Sequence, residues 1–346
     1  MKNKTALVSG ITGQDGSYLG ELLLEKGYQV IGLHRRSSTN SFERIMDIMG
    51  HPNFHLHEFD LCDSSSVYTA VDSYKPNEFY NLAAQSHVAT SFNQPSFTFD
   101  VNTQGVVNIL EAIKKYSPNT KLYQAGTSEM FGRNYSRDKN GVKYQDETTQ
   151  FLPQSPYGVS KLASHRMLQI YREAYGIFAS NGILFNHESP RRGSYFVTQK
   201  IVLWIKDFLQ WCRTNNITPV EVEFEEETLV YKDLSYPKLR LGNLKAKRDW
   251  GHARDYVKAM YLMLQQDEAD DYLISSDTTH SIEDFLSIAF NHVGIKDYTS
   301  YIFIDPKFYR PAEVDYLCGR STKARTKLNW KPLMSLNDLV VDMFNE

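Results

Sequence analysis

The chain has 346 residues, of which 41% are hydrophobic and 23% are charged, and its formal net charge is −3. This composition is that of an ordinary globular protein, and the length is sufficient for one large or two smaller hydrophobic cores. A net charge this small, with basic residues spread along the chain, argues against a nucleic-acid partner and against a membrane-surface partner.

The sequence contains no apolar run of the roughly 20 residues that cross a bilayer, and its first residues lack the pattern of a secretory signal. The three cysteines, Cys62, Cys212 and Cys318, are far apart and form no C-x-x-C pair. We therefore expect a cytoplasmic protein with reduced thiols. The ten histidines have no paired ligand spacing, so we expect no metal site.

The first half of the chain alternates strand patterns with helix patterns. A short apolar run at residues 6–8 precedes a glycine cluster, and a helical stretch at 18–26 then ends at Gly27. Further strands are predicted at residues 30–33, 54–59, 79–82 and 121–125, with a helix at 101–115. Strands that alternate with helices predict βαβ units and a parallel sheet.

The second half is less regular. A long helix is predicted at residues 157–174 and a sixth strand at 177–185, and the acidic stretch 221–238 reads as a surface hairpin or loop. We predict an α/β fold with a Rossmann-type doubly wound parallel sheet in residues 1–185. Residues 186–346 would form a smaller C-terminal α/β substrate domain, with some of the chain returning to the Rossmann part.

A glycine-rich turn follows the first strand. Gly10, Gly13 and Gly16 form G-x-x-G-x-x-G, which lets the backbone turn sharply and approach a pyrophosphate at a helix N-terminus. A glycine-rich turn without a ligand is the alternative. The position of this turn, between a strand and a helix at the start of the chain, favours dinucleotide binding.

Basic residues follow the second strand. An NAD enzyme usually has an acidic residue there for the ribose hydroxyls, whereas Arg35 and Arg36 would accommodate a 2′-phosphate. A solvated basic loop is the alternative, but the position favours NADP. Asp60 and Leu61 end the third strand, where an adenine would lie, and small residues at 83–86 after the fourth strand would let a dinucleotide lie close.

Tyr157 and Lys161 form a Y-x-x-x-K pattern on one face of a predicted helix. A lysine cation near the phenol would lower the pKa of the tyrosine, so that Tyr157 could act as a base or an acid on a sugar hydroxyl. As an isolated pattern, Y-x-x-x-K usually indicates only an amphipathic helix. It gains significance here because it follows a dinucleotide-binding pattern.

The fifth strand is followed by Thr127, Ser128 and Glu129. The carboxyl ends of such strands face the ligand crevice. A simple alcohol dehydrogenase would need one hydroxyl near Tyr157, but it would not need a carboxylate. Glu129 is therefore informative, because it could take a proton next to a carbonyl group. The alternative is an exposed loop glutamate.

The chain resembles the GDP-mannose 4,6-dehydratase family in stretches that span nearly its whole length. The matching stretches are residues 10–19, 35–38, 84–88, 127–129, 184–193, 248–257 and 310–315. The runs N-H-E-S-P-R-R-G at 186–193 and R-D-W-G-H-A at 248–253 are highly specific.

The resemblance implies a role for each matching residue. The catalytic set would be Thr127, Glu129, Tyr157 and Lys161. The NADP contacts would be Gly10, Ile11, Thr12, Gly13, Gln14, Asp15, Arg35, Arg36, Ser37, Ser38, Asp60, Leu61, Leu82, Ala83, Ala84, Gln85, Ser86, Tyr157, Lys161, His187 and Arg192. The GDP-sugar site would be lined by Ser86, Ser128, Asn186, Lys200, Arg248, Arg310 and Glu313.

Several positions depart from the family pattern. Phe97 stands where the family usually has a cofactor-contacting tyrosine, and Gln154 and Gln199 each replace a common arginine. The loop 133–145 is longer than usual, and 221–238 resembles an insertion. Gln154 lies shortly before Tyr157, near the sugar end of the expected site. It does not change the expected reaction, but the substrate could be either GDP-D-mannose or GDP-D-glycero-D-manno-heptose.

Two other functions stay open at this point. A nucleotide-sugar epimerase or reductase of the same superfamily would need no base at C5, and Glu129 argues against it. A non-catalytic NADP-binding regulator would not need the intact catalytic set. The expected partners are a GDP-sugar substrate and further copies of the chain, as a dimer or tetramer.

Overall fold

The computed structural model describes residues 3–38, 41–309 and 312–345. The strands within these ranges are β1 (Thr5–Ser9), β2 (Gln29–His34), β3 (Phe54–Glu58), β4 (Glu78–Asn81), β5 (Lys121–Ala125), β6 (Ser136–Arg137), β7 (Lys143–Tyr144), β8 (Ala179–Leu184), β9 (Asn186–Glu188), β10 (Glu223–Phe224), β11 (Thr228–Tyr231), β12 (Leu234–Pro237), β13 (Leu239–Leu241), β14 (Lys247–Arg248), β15 (Trp250–His252), β16 (Asp271–Ile274), β17 (His280–Ser281) and β18 (Ile302–Ile304).

The α-helices within the same ranges are α1 (Gln14–Glu25), α2 (Ser64–Tyr74), α3 (Val88–Asn93), α4 (Pro95–Phe99), α5 (Gly105–Tyr116), α6 (Pro156–Tyr175), α7 (Val197–Thr214), α8 (Ala253–Leu264), α9 (Ile282–His292), α10 (Thr322–Lys327) and α11 (Leu336–Met343). Short 3₁₀ segments are Glu43–Ile48, Ser128–Met130, Pro219–Glu221, Thr299–Tyr301 and Pro306–Phe308, and a π-helical turn covers Asp100–Gln104.

A seven-stranded sheet with the order β16-β8-β5-β4-β1-β2-β3 forms the centre of the fold. All of its neighbouring strands pair in parallel. One face packs against α1 and α8, and the other packs against α2, α5 and α6. The predicted doubly wound Rossmann sheet is therefore confirmed. The strand order reverses between β1 and β4, which is where such sheets bind their ligands.

Most of the predicted elements are present, with shifted ends. The first helix begins at Gln14 instead of Tyr18, because Gly16 lies inside the helix and only Gly10–Gly13 form the turn. The helix predicted at 101–115 begins with the π-helical turn at Asp100–Gln104. Such turns are often found at functional sites.

The C-terminal part has a second hydrophobic core, formed mainly by residues of α7, α9 and α11. The stretch 221–238 is a three-stranded antiparallel sheet, β10-β11-β12, and the longer loop 133–145 contains the small β6–β7 hairpin. β16 joins the central sheet beside β8. The domain boundary at 185 and 186 stays a prediction. In the described ranges, no helix combines the length and the apolar character that a membrane crossing requires.

Candidate active site

A large cleft, with a volume of about 2040 Å³, opens at the carboxyl ends of the parallel strands. The glycine-rich turn, the ends of β2 to β5 and the start of α6 form one side, and residues between 184 and 313 complete it. A cleft of this kind at the sheet reversal is the default ligand site of a doubly wound fold.

The glycine-rich turn fits a dinucleotide pyrophosphate. Gly10 has a φ of +71°, and a Cβ atom there would lie 3.0 Å from the backbone of Leu82 and Ala83. A Cβ atom at Gly16 would lie 2.2 Å from the carbonyl oxygen of Gly10. No side chain caps the N-terminus of α1, where Gly13 is the N-cap. The turn therefore presents backbone N–H groups and a helix dipole to an anion.

Asp15 and His187 form an ion pair at the wall of the cleft. The Nε2 atom of His187 lies 2.7 Å from Oδ2 of Asp15, and Nδ1 lies 2.8 Å from the carbonyl oxygen of Phe185. Although burial opposes both charges, the pairing raises the pKa of His187 and lowers the pKa of Asp15. The ring of Tyr256 stacks on His187 with 4.6 Å between centroids. This pair joins the first turn of α1 to β9.

Arg192, the other cofactor residue predicted in this part of the chain, lies close to the same pair. Its Nε atom is 2.9 Å from Oε2 of Glu188, and its guanidinium carbon is 3.6 Å from the centroid of the Phe196 ring. The charge of Arg192 contributes to lowering the pKa of Asp15.

The residues predicted for the adenosine end are distributed over two cavities. Arg35 lines both the large cleft and an adjoining cavity of about 270 Å³, whereas Arg36 and Ser37 line only the smaller one. Ser38 is exposed and lines neither cavity. The Ile11 side chain is fully buried in the core, so a cofactor contact at this position would come from its backbone in the turn. The large cleft is also lined by the other predicted cofactor residues, which are Thr12, Gln14, Asp60, Leu61, Leu82, Ala83, Ala84, Gln85 and Ser86.

Asn102, which the sequence analysis did not single out, holds the loop after β4 against the catalytic helix. Its side chain accepts from the Gln85 N–H at 2.9 Å and donates to Oγ of Ser160 at 3.1 Å. The Ser164 hydroxyl donates to the backbone carbonyl of Asn102. The neighbouring residues Asp100, Thr103 and Gln104 are also polar, so the local sequence does not distinguish Asn102.

The four predicted catalytic residues meet in the cleft. Thr127, Glu129, Tyr157 and Lys161 are all buried, and all of them line it. The Thr127 hydroxyl oxygen accepts from the Glu129 N–H at 3.3 Å. The Lys161 ammonium donates to the carbonyl oxygen of Ala125 at 2.9 Å and lies 6.0 Å from the centre of the Tyr157 ring. The geometry brings a phenol, a hydroxyl, an ammonium group and a carboxyl group to one place.

Burial determines the acid–base character of this group. It raises the pKa of Tyr157 to about 12, with the charge of Glu129 adding to the effect and a hydrogen bond from Thr127 opposing it. It lowers the pKa of Lys161 to about 8. The effect of Lys161 on Tyr157 stays a prediction, and burial acts in the opposite direction because desolvation disfavours the charged phenolate.

Gly158 sets the approach of α6 to the glutamate loop. A Cβ atom at Gly158 would lie 2.8 Å from the carbonyl oxygen of Glu129 and 2.9 Å from Cβ of Pro153. We expect Gly158→Ala to lower the free energy of unfolding by about 1–3 kcal/mol, as overpacking does, and also to lower turnover. Chemical denaturation and initial rates would measure both changes.

Gly50→Ala is the matched control for Gly158→Ala, because a Cβ atom at Gly50 meets nothing within 4 Å. If Gly158→Ala left the free energy of unfolding and the turnover unchanged, the close approach of α6 to Glu129 would be required for neither stability nor catalysis.

The predicted GDP-sugar residues occupy the C-terminal side of the cleft. Asn186, Lys200, Arg248 and Glu313 all line it, as do Ser86 and Ser128. The guanidinium of Arg248 donates to Oε1 of Glu313 at 3.1 Å and to the carbonyl oxygen of Val314 at 2.7 Å. Arg310 lies outside the described residues.

The two glutamines that depart from the family pattern do not line the cleft in the described part of the chain. The Gln154 amide donates to the carbonyl oxygen of Leu152 at 2.9 Å, and the buried Gln199 amide donates to the carbonyl oxygen of Pro190 at 3.3 Å. Their influence on the sugar would therefore be indirect. Phe97 does line the cleft.

Comparison with known sequences gives matches over nearly the whole chain. The sequence model of the family described as GDP-mannose 4,6 dehydratase matches residues 7–214 and 228–343. GDP-mannose 4,6 dehydratase 2 of Arabidopsis thaliana is 46% identical, with 99% of this chain and 86% of the relative covered. GDP-mannose 4,6-dehydratase of Vibrio cholerae is 40% identical, with 99% and 93% covered.

Solved structures share the fold at low sequence identity. A dTDP-glucose 4,6-dehydratase from Streptomyces venezuelae has a TM-score of 0.80 and 20% identity, with 98% of this chain and 95% of that chain covered. A UDP-glucose 4-epimerase from Thermotoga maritima has a TM-score of 0.78 and 22% identity, with 98% and 97% covered. At these identities the likeness shows the fold alone.

Proposed function

The chain belongs to the GDP-mannose 4,6-dehydratase family, and we propose that it is a hydro-lyase that removes water from a GDP-activated manno-configured sugar to give the 4-keto-6-deoxy sugar. The observation that carries the proposal is the position of Glu129, whose carboxyl group lines the same cleft as Thr127, Tyr157 and Lys161. Oxidation and reduction at C4 need only a tyrosine, a hydroxyl and a lysine. A carboxylate beside them supplies the base that elimination requires.

The glycine-rich turn, the uncapped N-terminus of α1 and Arg35 support NADP as the cofactor. A nicotinamide cofactor held by these residues would supply the hydride acceptor and donor that internal redox between C4 and C6 of the sugar requires. Tyr157 would take the proton of the C4 hydroxyl, and Thr127 would hydrogen-bond the same oxygen as the ketone forms. The step needs Tyr157 as its phenolate. Because burial raises the pKa of Tyr157 to about 12, a positive charge such as that of Lys161 would be needed to favour the ionised form.

Glu129 would act in the second stage. The 4-ketone acidifies the C5–H bond, so Glu129 can remove that proton. It then gives a proton to the C6 hydroxyl, which leaves as water and creates a C5–C6 double bond conjugated with the ketone. Reduction at C6 and protonation at C5 by a solvent proton complete the sequence, and Tyr157 returns to the solvent the proton that it took from the C4 hydroxyl. One carboxyl group therefore serves as base and then as acid.

GDP-D-mannose is the substrate that the relatives' names support, and GDP-D-glycero-D-manno-heptose is the alternative. The two differ by one carbon beyond C6. Incubation of the protein with each GDP-sugar and NADP, followed by mass spectrometry of the product, tests the choice. The preferred substrate should lose the mass of one water at the higher kcat/KM, and failure of both to lose water would overturn the proposed function.

Cofactor choice is a separate prediction. Replacing both Arg35 and Arg36 with alanine should weaken NADP binding by about tenfold or more, because charge-assisted hydrogen bonds to the 2′-phosphate are lost. NAD binding should change little, since NAD lacks that phosphate. Titration calorimetry with both cofactors measures the two affinities.

The double lysine variant, Arg35→Lys with Arg36→Lys, is the control for charge, and it should retain part of the NADP preference. Equal loss of NAD and NADP affinity in the alanine variant would show that these arginines do not read the 2′-phosphate. Assembly of the chain into a dimer or tetramer stays a prediction.

A further inference from the structure

A buried polar cluster lies behind the catalytic centre, and the proposed mechanism does not use it. His165 is on α6, four residues after Lys161, and Asn181 is on β8; the two residues are only 3% and 1% exposed. Neither belongs to the described lining of the cleft. We propose that His165 and Asn181 form a positioning pair, which holds the turn after β5 against α6 so that Thr127 and Lys161 are correctly placed. The inference rests on the proposed function and adds two residues that act through its catalytic groups.

The positioning pair joins the catalytic helix to the central sheet. The Nδ1 atom of His165 lies 3.0 Å from the amide nitrogen of Asn181. A residue four positions after Lys161 lies on the same face of α6, one turn further along the helix. The contact therefore limits the rotation of α6 about its own axis, and this rotation determines where the Lys161 ammonium group lies.

The Asn181 amide packs against the turn that carries the catalytic hydroxyl. A Cβ atom at Gly126 would lie 2.6 Å from Nδ2 and 3.0 Å from Oδ1 of Asn181. On one side of Gly126, the carbonyl oxygen of Ala125 accepts from the Lys161 ammonium at 2.9 Å. On the other side is Thr127. A displaced Asn181 amide would therefore change the position of both neighbours of Gly126.

The other edge of the imidazole is held by a second amide and an ion pair. The Nε2 atom of His165 lies 3.1 Å from the amide nitrogen of Gln169, which donates to Oδ2 of Asp271 at 2.9 Å. Asp271 also pairs with Arg172 at 2.7 Å. Burial lowers the pKa of His165, and the charge of Asp271 opposes this effect. Arg166 and Arg172 add to the lowering, so the ring is neutral at neutral pH and serves as a fixed hydrogen-bonding group.

The His165 ring also packs towards the loop that carries the catalytic carboxyl group. It meets the ring of Phe151 edge-on, with 5.2 Å between centroids and an interplanar angle of 78°. Phe151 packs in turn on Phe131, with 5.0 Å between centroids. Phe131 directly follows the 3₁₀ segment Ser128–Met130, which contains Glu129. The imidazole therefore contacts the surroundings of the hydroxyl and of the carboxyl group, each through one intervening side chain.

The test removes the hydrogen bonds of the pair and keeps its volume. His165→Phe retains a ring against Phe151, and Asn181→Leu retains a side chain of similar size. We expect kcat to fall by about tenfold or more in each variant, because small misplacements of catalytic groups are costly. KM for GDP-mannose and the affinity for NADP should stay within about twofold. The two substitutions together should cost little more than either one, because they remove the same contact.

The pH dependence of kcat separates positioning from a general loss of stability. In the proposed mechanism kcat rises with pH as the Tyr157 phenol ionises, and the cation of Lys161 favours the phenolate. A less well placed Lys161 favours it less, so the acidic limb should move to higher pH by about 0.5 pH unit or more in His165→Phe. His165→Asn, whose amide can take the place of Nδ1, should return the limb close to its wild-type position.

Thr120→Val is the matched control for a lost buried hydrogen bond. Thr120 is fully buried just before β5, at the end of the strand opposite the catalytic turn, and its hydroxyl donates to the carbonyl oxygen of Pro76 at 2.6 Å. This variant should lower the melting temperature but leave kcat and its pH profile unchanged. Unaltered NADP binding and one cooperative melting transition would confirm that each variant is folded.

Two results would overturn the positioning pair. A wild-type kcat in folded His165→Phe would mean that the turn keeps its position without the pair, and a lower kcat with an unmoved pH profile would mean a loss of stability alone. Failure of the proposed function gives a different result. Wild-type protein that inverts C4 without losing water would contradict dehydration. Because that reaction also begins with proton transfer to Tyr157, the same pH comparison would still test the pair.

Discussion

Replacing Tyr157 with phenylalanine is expected to lower turnover by at least about 100-fold, which is typical for loss of a general acid–base group. The phenol is buried beside Thr127 and Glu129. The substitution keeps the ring and removes the oxygen that, in the proposed mechanism, exchanges a proton with the C4 hydroxyl. Initial rates with GDP-mannose measure the effect. NADP affinity, measured by calorimetry, should change much less than the rate.

Tyr144→Phe is a suitable control for Tyr157→Phe, because Tyr144 lies on the β6–β7 hairpin and does not line the cleft. Near-normal turnover in Tyr157→Phe would show that another group takes the C4 proton, and the assignment of Tyr157 would then be wrong.

Glu129→Gln is expected to separate oxidation from elimination. The amide keeps the shape of the side chain, but it cannot accept the C5 proton or pass one to the C6 oxygen. Because Tyr157, Thr127 and Lys161 stay in place, oxidation at C4 should continue and the reaction should stall there. The absorbance of reduced cofactor and a 4-keto sugar should accumulate on the enzyme, while the yield of dehydrated product falls by at least about 100-fold.

Exchange of the C5 hydrogen gives a second measurement on the same variant. Wild-type protein should exchange this hydrogen with deuterium from the solvent, and Glu129→Gln should not. Glu147→Gln is a control, because that partly buried carboxyl group does not line the cleft. If Glu129→Gln released dehydrated product at the wild-type rate, Glu129 would have no part in elimination, and the proposed mechanism would be incorrect.

The parts of the site that follow local sequence rules could be predicted from the sequence. The turn from Gly10 to Gly13 is one such part. Gly10 has a positive φ and lies close to the backbone of Leu82 and Ala83, and glycine is the residue that suits both conditions. The strands and long helices followed from apolar periodicity. The carboxyl ends of parallel strands meet at one edge of a sheet, which is why Thr127 and Glu129 could be placed near Tyr157.

The parts that depend on distant contacts could not be predicted. Asn102 matters because it contacts Ser160, 58 residues away, and no local pattern specifies that pairing. The raised pKa of Tyr157 depends on how completely the surrounding chain covers the phenol.

The measurement that tests the central claim most directly is the mass of the sugar nucleotide after reaction in deuterium oxide with a catalytic amount of NADP. We predict that the product has lost one water, carries one solvent deuterium at C5, and forms in large excess over the cofactor with no net NADPH. A product of unchanged mass with an inverted C4 centre would indicate an epimerase, and one reduced cofactor consumed for each product would indicate a reductase. Either result would contradict 4,6-dehydration by internal redox.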